Sequence, residues 1–371
     1  MKEYSRNNKL IVDGNLLARK SFYKFSSLSC EVSLKELGLF SKKIKNRFKN
    51  NLPKREKHRE IISEGSGNTL KLKQNGKIEK AIHKLSMAGM EVTLNTSVLY
   101  GMLRSILLSY EKYNMGEVVI CYDPIFKEAI LPSRKEINSQ YKNRIKDPIT
   151  EKIFNDALFI AQSFFYKAGV TQAITSRFEA DDLMQYYSEE VFKFNNCILL
   201  TEDHDLYQLL EKDRVTILKL GKNNSIYTED DFRKEYGISP KQWREVLALG
   251  GCSTDNVKGV LGISQPTAIS IMKKFKSIKS FVRNLDSPDL PKRVLTAMLN
   301  EKAIKFNNLI NSYKLVSLYG LKKELKSDLS VTKSSKSPEI RLKQSLNFLK
   351  LFKFKSFLTK SGQNALKSLI N

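Results

Sequence analysis

The chain has 371 residues, 41% of them hydrophobic, and carries 64 Lys and Arg against 39 Asp and Glu, a formal net charge of +25. That length and apolar content support one or two packed domains and exclude wholesale disorder. The charge points to a polyanionic partner, DNA or RNA in the simplest reading, with lysine enrichment from an AT-rich genome as the alternative.

Four widely spaced cysteines (Cys30, Cys121, Cys197, Cys252) form no CxxC pair, and the three histidines show no metal-binding spacing. Zinc ribbons and disulfide scaffolds are thereby excluded, and a reducing cytosol is the expected compartment. No apolar run is long enough to span a membrane, and the opening residues lack the apolar stretch of a signal peptide. A cytoplasmic protein without membrane contact is expected.

In chain order, the first β-type run is Leu10-Ile11-Val12, ending at Asp13. A basic stretch follows within residues 26–90, with nine Lys or Arg and two Glu between Ser41 and Glu60. Helical periodicity predicts a helix from Val98 to Tyr113, and Val118 to Tyr122 reads as a strand ending at Asp123. The basic segment from Pro132 to Pro148 reads as a projecting arm. A second helical pattern runs from Phe178 to Phe194 and opens with Glu179, Asp181 and Asp182. Cys197 to Leu200 is a strand leading into Asp203 and Asp205, and Val215 to Leu218 is another. Beyond Lys322 a Lys-rich segment ends in an apolar-basic helical pattern from Leu342 to Leu358. Strands alternating with helices imply a parallel α/β sheet. Asp13, Asp123 and Asp203 would then meet at its C-terminal edge, where ligands bind in open α/β sheets.

Eight carboxylates thus sit at strand ends or in first helical turns: Asp13, Asp123, Glu179, Asp181, Asp182, Asp203, Asp205 and Asp255. Clustered acids inside a basic body suit phosphodiester hydrolysis, with carboxylates for hard cations and lysines for phosphate. The plainer alternative for Glu179–Asp182 is an acid-rich first turn complementing a helix dipole, and for Asp203 and Asp205 a helix cap. Glu179 and Asp182, three apart, share a helix face, while Asp181 points partly sideways. Around Asp255, Gly250-Gly251-Cys252-Ser253-Thr254-Asp255-Asn256 leads through Gly259 and Gly262 to a helix beginning near Pro266. Such a hairpin can present backbone N–H groups to a phosphate, or can be an ordinary corner between helices.

IVDGNLLARKSF at the start, NTSVLYGMLRSI at 95–106, VVICYDP at 118–124, SRKEINSQYKNR at 133–144, FEADDL at 178–183, LLTEDHDLYQLL at 199–210 and ALGGCSTDNVKGVLGISQPTA at 248–268 together resemble the 5′-nuclease family. Its members are the flap endonucleases and 5′→3′ exonucleases of phage and bacterial replication. The resemblance covers roughly residues 9–25 and 95–290. It implies a PIN-like α/β nuclease core over 1–235, with a basic insertion at 26–90 and an arch at 130–148. A helix-three-turn-helix module at 236–320 and a basic extension at 321–371 would follow.

By the same resemblance, Asp13, Asp123, Glu179, Asp181 and Asp182 would hold one metal ion, and Asp203, Asp205 and Asp255 a second. Both would be Mg2+, replaceable by Mn2+, with K+ at the hairpin. Arg134, Lys142 and Arg144 would steer the 5′ strand and neutralise the reacting phosphate, and Tyr141 would stack on a base. Arg19, Lys258, Gly259 and Gly262 would contact DNA. Implied partners are 5′ flaps, nicked duplex or an RNA–DNA hybrid, with a single-strand binding protein or polymerase beside them. A phage origin would place the protein in the host cytoplasm.

Three positions depart from the family pattern: Cys252 stands where the module has Asp, Ser264 where it has Gly, and Pro266 where it has Lys. Sulfur is a poor ligand for Mg2+, so Cys252 is expected to favour Mn2+. It also keeps open a structure-specific DNA-binding protein with weak or no catalysis. An RNA-cleaving PIN-type nuclease fits the acids but not the hairpin. The insertion is expected to act as an electrostatic clamp. Neutralising Lys42, Lys43, Lys45, Arg47 and Lys49 should flatten the log–log salt dependence of DNA affinity; an unchanged slope would show that the stretch does not touch the backbone.

Overall fold

The computed structural model describes residues 8–25, 96–124, 133–142, 148–220, 225–352 and 354–371. The insertion at 26–90 and Arg144 lie outside them. Strand β1 (Asn8–Asp13) runs into helix α1 (Gly14–Phe25), and helix α2 (Ser97–Lys112) precedes β2 (Met115–Tyr122). A short helix α3 (Ser133–Ile137) and the long α4 (Pro148–Ala168) lead to β3 (Thr171–Ile174). Then come α5 (Ala180–Tyr186), β4 (Cys197–Leu200), β5 (Val215–Lys219) and β6 (Ser225–Tyr227).

The sheet order is β6-β5-β4-β1-β2-β3-β7. From β1 the chain builds outward through β2 and β3, then crosses to the other side for β4 and β5, all parallel. That reversal at β1 opens a crevice at the C-terminal ends of β1, β2 and β4, the position at which such sheets bind ligands.

Strand periodicity sends alternate side chains to opposite faces, and both faces are covered. Leu10, Val12, Val118, Ile120, Ile198 and Leu200 pack with α1, α2 and α4 on one side. Ile11, Val119, Cys121, Leu199 and Ile217 face the other, against α5 and the later helices. Each such fully buried aliphatic side chain contributes about 1.5–3 kcal/mol. Those later helices are α6 (Glu229–Tyr236), α7 (Trp243–Gly250), α8 (Gln265–Phe275), α9 (Ile278–Arg283), α10 (Lys292–Ala303) and α11 (Asn307–Val316).

The residues expected to form a basic extension are instead built into the core. After α12 (Lys323–Asp328), strand β7 (Ser330–Thr332) pairs antiparallel with β3. Helices α13 (Pro338–Leu351) and α14 (Lys360–Ile370) then close over α4 and α2, burying Phe348, Phe352, Phe354 and Phe357. Their lysines are the outer face of an amphipathic cover. No described helix is long and apolar enough to cross a membrane.

Candidate active site

Asp13 closes β1, beside Cys121 of β2. Gly14 lets α1 start hard against that strand, because a Cβ there would lie 2.6 Å from the Tyr122 ring and 2.8 Å from the Cys121 carbonyl oxygen. Asp13 accepts from the Leu16 N–H (3.0 Å) and from the Thr201 hydroxyl (3.2 Å), and Thr201 Oγ1 accepts from the Asp203 N–H (3.0 Å). The Asp205 N–H donates to Asp203 Oδ1 (2.8 Å), which caps the short turn of helix after β4. Asp123 receives the Ala180 N–H (3.0 Å), while its own N–H donates to Asn15 Oδ1 (3.1 Å). Asn15 and Thr201 are therefore part of the site although neither carries charge. The only sequence signal for them was adjacency to the acids.

Electrostatics link these carboxylates into one basin. Burial, reinforced by Asp123 and Asp203, pushes Asp13 up to about 7. Burial with Asp203 and Asp13 raises Asp181 well above the carboxylate range. Burial with Asp203 and Asp255 pushes Asp205 up to about 7. Asp203 recurs in all three, so it lies at the centre of the repulsion. Among the described residues, neither the Asp181 nor the Asp205 carboxylate accepts a hydrogen bond or makes an ion pair. Acids half-buried, crowded by like charge and without hydrogen-bond partners in this way are stabilised by cations.

Glu179 and Asp182 point elsewhere. The Arg134 guanidinium donates to both Asp182 oxygens (2.9 Å each), to Glu179, and to the carbonyls of Leu315 (2.9 Å) and Ser317 (2.8 Å). Asp182 also accepts the N–H groups of Glu179 (3.1 Å) and Tyr319 (2.7 Å). This corrects two expectations. Arg134 is 3% exposed and has no face to offer a nucleic-acid strand. Asp182 is fully buried, and its oxygens are committed to protein donors. Together they staple α3 and α5 to the end of α11.

Tyr141 is also buried, and its hydroxyl donates to Glu179 (3.1 Å), so the expected base stacking has no exposed ring. Burial would raise Glu179, but Lys142 and Arg134 together outweigh it and hold the carboxyl at about 2. Lys142 is the expected arch residue that does reach the basin. Its Nζ lies 3.0 Å from Glu179 and 3.8 Å from Asp255, its N–H donates to the Asp255 carbonyl (3.1 Å), and its side chain stays part-exposed. Burial would lower this ammonium, yet Glu179, with Asp181 and Asp255 behind it, holds it well above its usual value.

Arg19 lies aside, forked onto Glu151 (2.7 and 2.5 Å) and stacked 3.5 Å from the Phe154 ring centroid. The hairpin between α7 and α8 carries Asp255 into the basin. Gly259, at φ +65°, is buried, since a Cβ would lie 2.4 Å from Gly251 N. Its N–H donates to Ser312 (3.1 Å), so it holds the turn rather than a ligand. Lys258 and Gly262 face solvent, and Leu261 between them is 90% exposed.

The family model described as the 5′-3′ exonuclease, N-terminal resolvase-like domain, matches residues 78–237. The 5′-3′ exonuclease of Buchnera aphidicola subsp. Acyrthosiphon pisum is 30% identical over 259 residues, covering 69% of this chain and 85% of its own. That of Aquifex aeolicus is 29% identical over 266 residues, covering 69% and 83%. A bacteriophage T5 flap endonuclease, solved as a pseudo-enzyme-product complex with DNA and metal ions, shares the fold. Its TM-score is 0.52 at 15% identity, over 93% of this chain and 99% of that one. With the acid basin at the sheet's switch point, these likenesses define a nuclease, a hydrolase of phosphodiester bonds. The chain belongs to the 5′-3′ exonuclease family.

Proposed function

We propose that the protein is a divalent-metal-dependent 5′ nuclease that acts on DNA at 5′ flaps, nicks or RNA-primed ends. The observation that carries this is the basin of Asp13, Asp123, Asp181, Asp203, Asp205 and Asp255, in which Asp181 and Asp205 are crowded by like charge and lack hydrogen-bond partners. An all-carboxylate donor set of this kind fits hard divalent cations, with Asp13, Asp123, Asp181 and Asp203 holding one and Asp205 and Asp255 a second. Bound there, the ions supply Lewis-acid stabilisation of the charge that builds on the attacked phosphate.

The protein's own residues do the positioning. Lys142 keeps a positive charge at the mouth of the basin, where it pairs with the reacting phosphate. Lys258 and the exposed Leu261–Gly262 turn lie along the chain from Asp255, placed to hold duplex backbone while the 5′ strand enters. Thr201 fixes the Asp13 carboxylate to which it donates, and Asn15 holds the backbone of Asp123.

The test uses 5′-labelled flap, nicked duplex and RNA-primed substrates, each with Mg2+, with Mn2+ and with chelator. Short labelled products released from 5′ ends are expected with the cations and not with chelator. Cleavage that survives chelation, or that starts from 3′ ends, would overturn the reading.

A further inference from the structure

We propose that Asp205, Cys252 and Asp255 form a mixed oxygen–sulfur site that takes a thiophilic divalent cation of the Zn2+ type in preference to Mg2+. The proposal rests on the basin being a metal site, and it specifies which ion one half of that basin selects.

Four observations carry it. One ligand atom from each of the three residues lies within 4.8 Å of the other two, a spread that a single ion can draw together. The Asp205 carboxylate has no hydrogen-bond or ion-pair partner among the described residues. Cys252 and Val257 exchange both backbone hydrogen bonds (2.9 Å each) across a tight loop with Asn256 left-handed at φ 57°. Sulfur and the Asp255 carboxylate are thus displayed from one braced turn rather than from a mobile segment. Thr254 Oγ1 sits 2.9 Å from Cys252 Sγ, so its hydroxyl can donate to a metal-bound sulfur, the kind of outer support that tunes ligand strength.

Cys252 also differs from the other described cysteines. Cys121 and Cys197 are buried in the core, whereas Cys252 is only partly covered and its sulfur faces acids. Two carboxylates with one thiolate leave a fourth position open, the ligand count of a non-structural Zn2+ site. Thiolate favours such borderline ions over Mg2+, which prefers six oxygens and dehydrates reluctantly. Coordination releases the thiol proton to solvent.

The experiment titrates the full chain, stripped of metal and free of nucleic acid, with Cd2+ as a spectroscopic probe of sulfur ligation. A sulfur-to-metal charge-transfer band saturating at one ion per chain is expected, displaced by Zn2+ but not by Mg2+ in large excess. Cys252→Ser should abolish the band and weaken Zn2+ binding by at least about 10-fold, the lower end of what loss of even an outer partner costs. Cys252→Asp should abolish the band and tighten Mg2+ binding. Absence of the band in the parent, or its survival in Cys252→Ser, overturns the proposal. Flap cleavage in Mg2+ is measured in parallel. Cleavage without a band sinks the sulfur site and leaves the nuclease reading standing; a band without cleavage under any cation does the reverse.

Discussion

Replacing Arg134 with Met should cost about 3–5 kcal/mol of folding stability, read as a lowered urea midpoint with an unchanged slope. The buried guanidinium makes five hydrogen bonds to α5 and the end of α11, and its loss would strand the fully buried Asp182 as an uncompensated charge. The double variant Arg134→Met with Asp182→Leu should recover part of the loss. Recovery stays incomplete because the N–H groups of Glu179 and Tyr319 lose their acceptor. A single variant within about 0.5 kcal/mol of the parent, the range of ordinary surface substitutions, would show that the staple holds nothing.

The second large effect is catalytic. Asp203→Asn should lower cleavage at least about 1,000-fold, corresponding to roughly 4 kcal/mol of lost transition-state stabilisation, while DNA affinity stays level or rises. Asp203 is the carboxylate that presses on Asp13, Asp181 and Asp205 alike, so both halves of the basin share it. Removing one negative charge also removes repulsion toward phosphate, which is why binding should not suffer. Single-turnover cleavage and an equilibrium binding assay separate the two quantities; unaltered turnover would take Asp203 out of the mechanism.

Much of the frame was legible in the residues. The apolar runs at 10–12, 118–122, 197–200 and 215–218 are β1, β2, β4 and β5, because strands buried on both faces read as continuous hydrophobic stretches. Strands β3, β6 and β7 have three or four residues each, with Gln172, Ser225 and Thr332 among them. β6 and β7 pair at the two edges and β3 just inside one of them, so neighbouring strands and not their own pattern set their pairing. Helical spacing put Glu179 and Asp182 on one face and Asp181 off it, as α5 shows. Spacing could not say which face looks into the basin, and it is the lone Asp181 that does so. Arg134 and Tyr141 read as surface cation and ring because charge and aromaticity do not encode burial. Only long-range partners such as Leu315 and Ser317 reveal it.

Strand β7, the last along the chain among the described residues, joins the sheet from far away in sequence. Ser330 pairs with Ile174, 156 residues earlier, and the two helices that roof α2 and α4 come later still. At a translation rate of about 5–20 residues per second, the edge of β3 stays open on the ribosome for roughly 8–30 s after it emerges. Through that interval a bare strand edge and an uncovered apolar face coexist, the combination most prone to pairing with a second nascent chain. Protein shortened before residue 330 should therefore accumulate in inclusion bodies, and slower growth temperatures should favour soluble full-length chain.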